Sequence, residues 1–328
     1  MKKQYTDPLN YKLTASDIEN SNYGAFLDDL TDVPSSVALR PYSIDKAGIV
    51  GQSAYIKVRP FDKADDTVPM FINLRMEVEL HNHRGIHMSR CQEALYSLVE
   101  ETHDSLDDFT EKLAKKILGA QASEKATVSA EGTYIHKRPT PKTQKVSHDQ
   151  MILRASSVAT AEDVKSKIGL SVFIMTGCPC TETFMKFAVV PELKASGFDL
   201  TQIAQILEIT HPGTHTQRGL ATINIDKETA EITHKKLHEI LDTSCLLIYE
   251  LLKRPDEHQF VLRVLNKPQF AEDVVRDIVD KVIQVLGSEL EPSSKIFASS
   301  KLFDSIHIHN VYSEVEKEYR ELVQENKT

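Results

Sequence analysis

From Met70 to Leu80 the chain alternates without a miss. Met70, Ile72, Leu74, Met76, Val78 and Leu80 are apolar, and the other face carries Asn73, Arg75, Glu77 and Glu79. A period of two places one set on each side of a pleated strand. A strand buried on one face and solvated on the other belongs to an antiparallel sheet, because parallel strands are covered on both sides. Gln52–Arg59, Ala126–His136, Leu170–Thr176 and Gly219–Asp226 read as further strands, His258–Leu265 alternates weakly, and residues 303–311 read as a last strand.

Helical signals alternate with these runs. One helix is expected from Gln92 to His103. A second starts at a Ser105/Asp108 capping box, carries Leu106, Phe109, Leu113 and Ile117 on one face, and stops at Gly119. Another is expected near Asp199–Leu207. A long amphipathic helix is expected over Thr233–Lys253, with Leu237, Ile240, Leu241, Cys245, Ile248 and Leu252 inside and Pro255 as its end. Gln269–Leu286, between Pro268 and Gly287, completes the set. The reading is an α+β class with two helix-bearing antiparallel units in tandem. Residues 1–48 are expected to be irregular, 49–164 to form the first unit, and 165–328 the second with a charged tail.

Charge and cysteine usage narrow the function. The 39 basic and 48 acidic residues leave a net charge of −9, which argues against a bulk basic surface for nucleic acid. No apolar run is long enough to span a bilayer, and Met1–Asp7 has no apolar core of a signal peptide, so a cytoplasmic location is expected. Four cysteines are too few for a disulfide framework in a chain of 328 residues. Cys245 falls on an apolar helix face and reads as core; Cys91 carries no signal.

The polar clusters point to a metal. Cys178-Pro-Cys180 follows an apolar strand, so both sulfurs stand at a sheet end. Thr214-His215-Thr-Gln-Arg218-Gly219, Arg254-Pro-Asp-Glu257 and Asp304-Ser-Ile-His307-Ile-His309 supply imidazole and carboxylate. Thiol, imidazole and carboxylate together suit a divalent transition ion. If residues 304–309 are extended, Ser305, His307 and His309 share a face and Ile306 and Ile308 point inward. Arg218 offers a planar fork for phosphate or carboxylate. Glu272 sits in the first turn of its helix, where a carboxylate also suits the dipole. His81, His83, Arg84, His87, Ser89 and Arg90 crowd donors that can hold phosphate oxygens or can equally cap an exposed loop. His211, four residues before His215, is a weaker signal.

Taken in order, Arg84-Gly-Ile-His-Met-Ser-Arg90, Gly177-Cys-Pro-Cys180, Thr214–Gly219, Leu251–Glu257, Phe270–Arg276 and Asp304–Asn310 resemble the type IB GTP cyclohydrolases over most of the chain. The Arg-Gly after His-Thr-Gln, the insert between Cys180 and His215, and the length resemble the archaeal, methanopterin-pathway branch more than the bacterial folate-pathway branch. The resemblance implies a bimodular tunnelling fold of two antiparallel sheets, each with two helices. It also implies a homotetramer or homodimer with active sites between subunits. The implied reaction opens the guanine imidazole ring of GTP at C8 and releases formate. It leaves 7,8-dihydroneopterin 2′,3′-cyclic phosphate and diphosphate in the archaeal branch, or dihydroneopterin triphosphate in the bacterial one.

Position by position, the resemblance makes Cys178, Glu257, Asp304 and His307 metal-site residues. Asp304 stands where the family usually has Glu, so its carboxylate is one methylene shorter. Cys178, Cys180 and His215 become catalytic, the latter two moving protons. Glu272 becomes the guanine anchor, and Arg84, His87, Arg90 and Arg218 bind substrate. Fe(II) is the implied ion, with Mn(II) or Zn(II) as alternatives. GTP is the expected partner; nucleic acid and membrane are not. Two other readings remain at this point: a purine- or pterin-binding protein without the reaction, and a protein with a closed structural metal site.

Overall fold

The computed structural model describes residues 34–61, 66–121, 123–229 and 231–326. The first part of the expected irregular segment, residues 1–33, lies outside them. Its end, from Ile44, is already strand.

The chain runs β1 (Ile44–Val58), β2 (Val68–Leu80), α1 (Met88–Val99), β3 (Thr102–His103), α2 (Leu106–Ala120), β4 (Lys125–Pro139), β5 (Val146–Thr160) and β6 (Val164–Gly177). An insert of α3 (Pro179–Ala188), α4 (Val190–Ala195) and α5 (Leu200–Ile209) precedes β7 (Thr216–Lys227). Then follow α6 (His234–Ser244), α7 (Arg254–Asn266), α8 (Ala271–Leu286), β8 (Lys295–Leu302), β9 (Val311–Glu318) and α9 (Tyr319–Glu325).

The expectation of two separate sheets, each with two helices, is corrected. The strands form one nine-stranded sheet in the order β3-β1-β2-β4-β5-β6-β7-β8-β9. It is mixed, because β3 lies parallel to β1 while the remaining pairs are antiparallel. The physical reason lies at the middle of the chain. A short turn joins β5 to β6, and the two strands pair from Met151↔Val172 to Ala159↔Val164. A separated sheet would leave a row of unpaired N–H and C=O groups at this edge; fusing the halves satisfies them. The expected division at 164/165 falls at the start of β6.

One face of this sheet carries the core. Ile72, Leu74 and Met76 of β2, Leu170 and Val172 of β6, and Ile223 of β7 are buried, as are Phe109 and Leu113 of α2, Leu237 of α6 and Ile278 of α8. The alternation seen in the sequence of β2 is the observed inside–outside pattern. Ser105 caps α2 by accepting from Asp108 N at 3.1 Å, as expected, although the helix runs past Gly119 to Ala120. Asp199 and Gln202 form the capping box of α5.

Three expected elements differ. The helix over Thr233–Lys253 ends at Ser244, and Cys245–Lys253 runs extended. There Met175 N donates to Leu246 O and Ile248 N donates to Phe173 O, so β6 takes up the bonds that a helix would have made internally. Cys245 and Leu247 are still buried, which is why the apolar spacing misleads. Pro255 opens α7 at its first turn instead of ending a helix, and His258–Leu265 is helical, not strand. Residues 303–310 are a loop between β8 and β9. Asp304 Oδ1 accepts from Ile306 N and His307 N, both at 2.8 Å, an Asx-type turn that bends the chain. Ile306 and Ile308 are 62% and 107% exposed, so they do not face inward.

Candidate functional site

Strand direction decides which residues can meet. Gly177 at the end of β6 pairs with Thr216 at the start of β7, and Gly219 pairs with Leu302 at the end of β8. Cys178, His215 and the 303–310 loop therefore share one end of the sheet. The β4–β5 turn lies at the same end, since Pro139 pairs with Val146.

Cys178 is the half-buried N-cap of α3, and Cys180 sits exposed in its first turn behind Pro179. Cys178 N donates to His215 O at 3.1 Å, and Thr214 Oγ1 donates to Cys178 O at 2.7 Å. Gly177 is required here, because a Cβ would come within 2.9 Å of Thr214 Cγ2. His215 Nδ1 lies 3.4 Å from Ser305 Oγ, bringing the 303–310 loop against the thiol segment. Phe303 N donates to Arg218 O at 2.8 Å and fixes that loop to β7; the Arg218 side chain is exposed. The Asp304 carboxyl is held below the usual range, first by the Ile306 N–H and then by the His307 N–H and the nearby His307 and His215 imidazoles. The rings of His307 and His309 stack at 5.0 Å.

Two helix starts complete this end. Gln269 N donates to Gly177 O at 3.0 Å, so the first turn of α8, with exposed Glu272, begins beside the thiol segment. Glu257 is exposed in the first turn of α7. Val264 of the same helix is the residue of α7 that approaches Gly177, so Glu257 stands about 10 Å away along the helix axis.

Arg84, His87 and Arg90 lie elsewhere. Each step from β2 through β4 and β5 to β6 is antiparallel, so β2 and β6 run in opposite directions. The segment after β2 is thus at the other end from the segment after β6. A strand of this length covers about 40 Å, and sheet twist still leaves the two ends on the order of 30 Å apart. His87 is the N-cap of α1, exchanging bonds with Gln121 at 3.1 and 2.9 Å, and Arg90 donates to Ala120 O at 3.2 Å.

Sequence reasoning missed two carboxylates that build the thiol end. Asp256 is fully buried and accepts from Lys142 N at 2.9 Å, Thr143 N at 3.0 Å, Thr143 Oγ1 at 2.5 Å and Lys253 N at 3.1 Å. Desolvation would raise its pKa, but these bonds outweigh it and hold the carboxyl well below the usual range. Pro255-Asp256 at a helix start was the available signal. Asp149, buried on β5, accepts from Arg138 Nε, Ser147 Oγ and, at 3.0 Å, Glu250 N. Together they tie Glu250–Glu257 to the β4–β5 hairpin.

Among the described residues no three His, Cys, Asp or Glu side chains stand together as a ready metal site. The donor types gathered at the thiol end nevertheless fit a divalent transition ion: one half-buried thiol, two imidazoles and a carboxylate held ionised. A concavity of about 560 Å³ opens on the polar face of the sheet, lined by Arg75, Arg154, Lys167 and Asn224 among others, and none of the candidate site residues lines it.

A thiol, imidazoles and a carboxylate thus gather at one end of one continuous sheet, residue types that suit an enzyme's site. The chain belongs to the family described as type I GTP cyclohydrolase folE2, whose model matches residues 30–313. It is 28% identical to the protein named GTP cyclohydrolase MptA of Methanococcus maripaludis strain C7, over 87% of this chain and 94% of that one. It is 27% identical to the protein of the same name from Methanobrevibacter smithii, over 88% and 94%. Among solved structures it superposes on uricase from Arthrobacter globiformis with a TM-score of 0.44 at 9% identity, covering 87% of this chain and 96% of that one.

Proposed function

We propose that this chain opens the imidazole ring of GTP by hydrolysis at C8, releasing formate and forming 7,8-dihydroneopterin 2′,3′-cyclic phosphate with diphosphate. Family membership supports the reaction class, and the two methanogen relatives named MptA favour the cyclic product over the triphosphate. The observation that carries the reading is the convergence of Cys178, His215 and the Asp304–His307 turn at one end of β6, β7 and β8.

Each residue has a role there. Cys178, Asp304 and His307, with Glu257 of α7, would hold the ion, Fe(II) first and Mn(II) or Zn(II) as alternatives. A divalent ion held there supplies Lewis acidity, which makes water a competent nucleophile near neutral pH. Cys180 and His215 move protons at the purine during ring opening and reclosure. Glu272 accepts from guanine N1–H and the 2-amino group, a paired match that adenine cannot offer.

The triphosphate needs cations, and Arg218 is the site arginine at the thiol end. Arg84, His87 and Arg90 stand too far away in the same protomer to reach one nucleotide. They serve as phosphate ligands only when a second copy brings its own Arg84 end against this thiol end. The reading therefore includes a homo-oligomer, a tetramer or dimer, with GTP bound between copies. The test is purified protein with Fe(II) under anaerobic conditions and GTP. Formate release is expected, and the product mass separates cyclic phosphate from triphosphate. Metal-loaded protein that binds GTP without releasing formate would reject the reaction.

A further inference from the structure

We infer that Glu182 and His211 are a positioning pair that holds the Cys178–Cys180 segment against His215. The inference rests on the reading of Cys178, Cys180 and His215 given above. The segment Thr210–His215 links α5 to β7 and turns at Gly213, whose φ is +113°. It is fastened to the start of α3 at both ends. At one end Cys178 bonds Thr214 and His215. At the other, His211 Nδ1 lies 3.1 Å from Glu182 Oε1. Glu182 N in turn donates to Cys178 O at 3.2 Å, so the carboxylate stands one helical turn from the thiol.

This pair is not a solvated surface contact. The Glu182 side chain is 9% exposed and also pairs with Lys186 at 3.0 Å. Glu182 is the one buried residue of α3; the aromatic side chains Phe184 and Phe187 are 71% and 69% exposed. Apolar burial therefore does not dock this helix, and the carboxylate does. An ionised carboxylate only accepts, so His211 Nδ1 carries the proton and donates it to Glu182. Such a carboxylate–imidazole bond fixes both tautomer and ring orientation.

The test compares Glu182→Ala, His211→Ala and His211→Asn with the natural chain. Asn keeps a side-chain N–H where Nδ1 stands, so it should recover most of what Ala loses. With GTP and Fe(II), both Ala variants should lose about tenfold or more in kcat with little change in KM. Independently of any turnover, the rate at which iodoacetamide alkylates Cys178, followed by peptide mass, should rise several-fold in both Ala variants and return toward the natural rate in His211→Asn. Folded Ala variants with unchanged kcat and unchanged alkylation would overturn the pairing. His211→Asn as impaired in kcat as His211→Ala would overturn a positioning role in favour of a chemical one. If the natural chain itself releases no formate, the reaction is wrong, and alkylation alone decides the pair. Where Glu182→Ala does not fold, His211→Ala carries the test.

Discussion

The two ends of the sheet are built differently. At the Arg84 end, exposed or half-buried cations and imidazoles sit on a loop and a helix start, tied by neutral bonds such as those between His87 and Gln121. At the thiol end, carboxylates lock irregular backbone: buried Asp256 holds the β4–β5 turn and the start of α7, buried Asp149 holds Glu250, and half-buried Asp304 folds its own loop. Irregular backbone has its polar groups unpaired by neighbours, and these carboxylates pair them. The difference teaches that the thiol end is held to one geometry by carboxylate bonds, the kind of positional precision that the proposed bond-making chemistry would use, while the Arg84 end presents its cations on neutral ties.

Four substitutions sharpen or break that contrast. The largest effect is expected from Cys178→Ala, which should abolish formate release; natural turnover in that variant would remove the thiol end from the chemistry. Asp149→Ala leaves Arg138, 11% exposed, without its buried carboxylate partner. It should cost about 3–5 kcal/mol of stability, read by denaturant unfolding; a loss under 1 kcal/mol would show that the thiol end is not held this way. Glu272→Gln should weaken GTP binding by about tenfold to a hundredfold, the worth of a charge-assisted bond, and unaltered affinity would reject the guanine anchor.

The smallest effect concerns pH. His238 of α6 lies 4.9 Å from His136, with Arg138, Asp149 and Asp242 around it. Burial first, and the His136 neighbour second, push its pKa from 6.5 down to about 4. The native state binds its proton later than the unfolded chain, so stability should be complete above about pH 6.5 and fall as pH drops toward 4. His238→Asn should flatten that slope in thermal melts across pH 4–7; an unchanged slope would assign the acid sensitivity elsewhere.

Much of this was legible in the residues. The alternation at Met70–Leu80 and the Ser105 cap are local signals, and local structure follows them. The fusion of two sheets into one was not legible, because pairing of β5 with β6 is a choice between edges that periodicity does not encode. Cys245, Ile248 and Leu252 continued the helix stripe in spacing, but an extended segment packed on β6 buries Cys245 and Leu247 and leaves Ile248 and Leu252 half-buried. At the site, Cys178, His215 and Asp304 were marked by residue type. Asp256 and Glu182 were not, since a buried carboxylate reads in sequence like any solvated acid. The separation of Arg84 from Cys178 is visible only once strand directions are counted.

That separation carries the account, and mixing two inactive variants tests it most directly. Cys178→Ala protein and Arg84→Ala/Arg90→Ala protein are each expected to be nearly inactive with GTP and Fe(II). Dissociated and reassembled together in equal amounts, they should recover about a quarter of the natural formate release, because one site in four then joins an intact thiol end to an intact arginine end. A mixture that co-assembles yet stays as inactive as its parents would contradict a nucleotide held between copies.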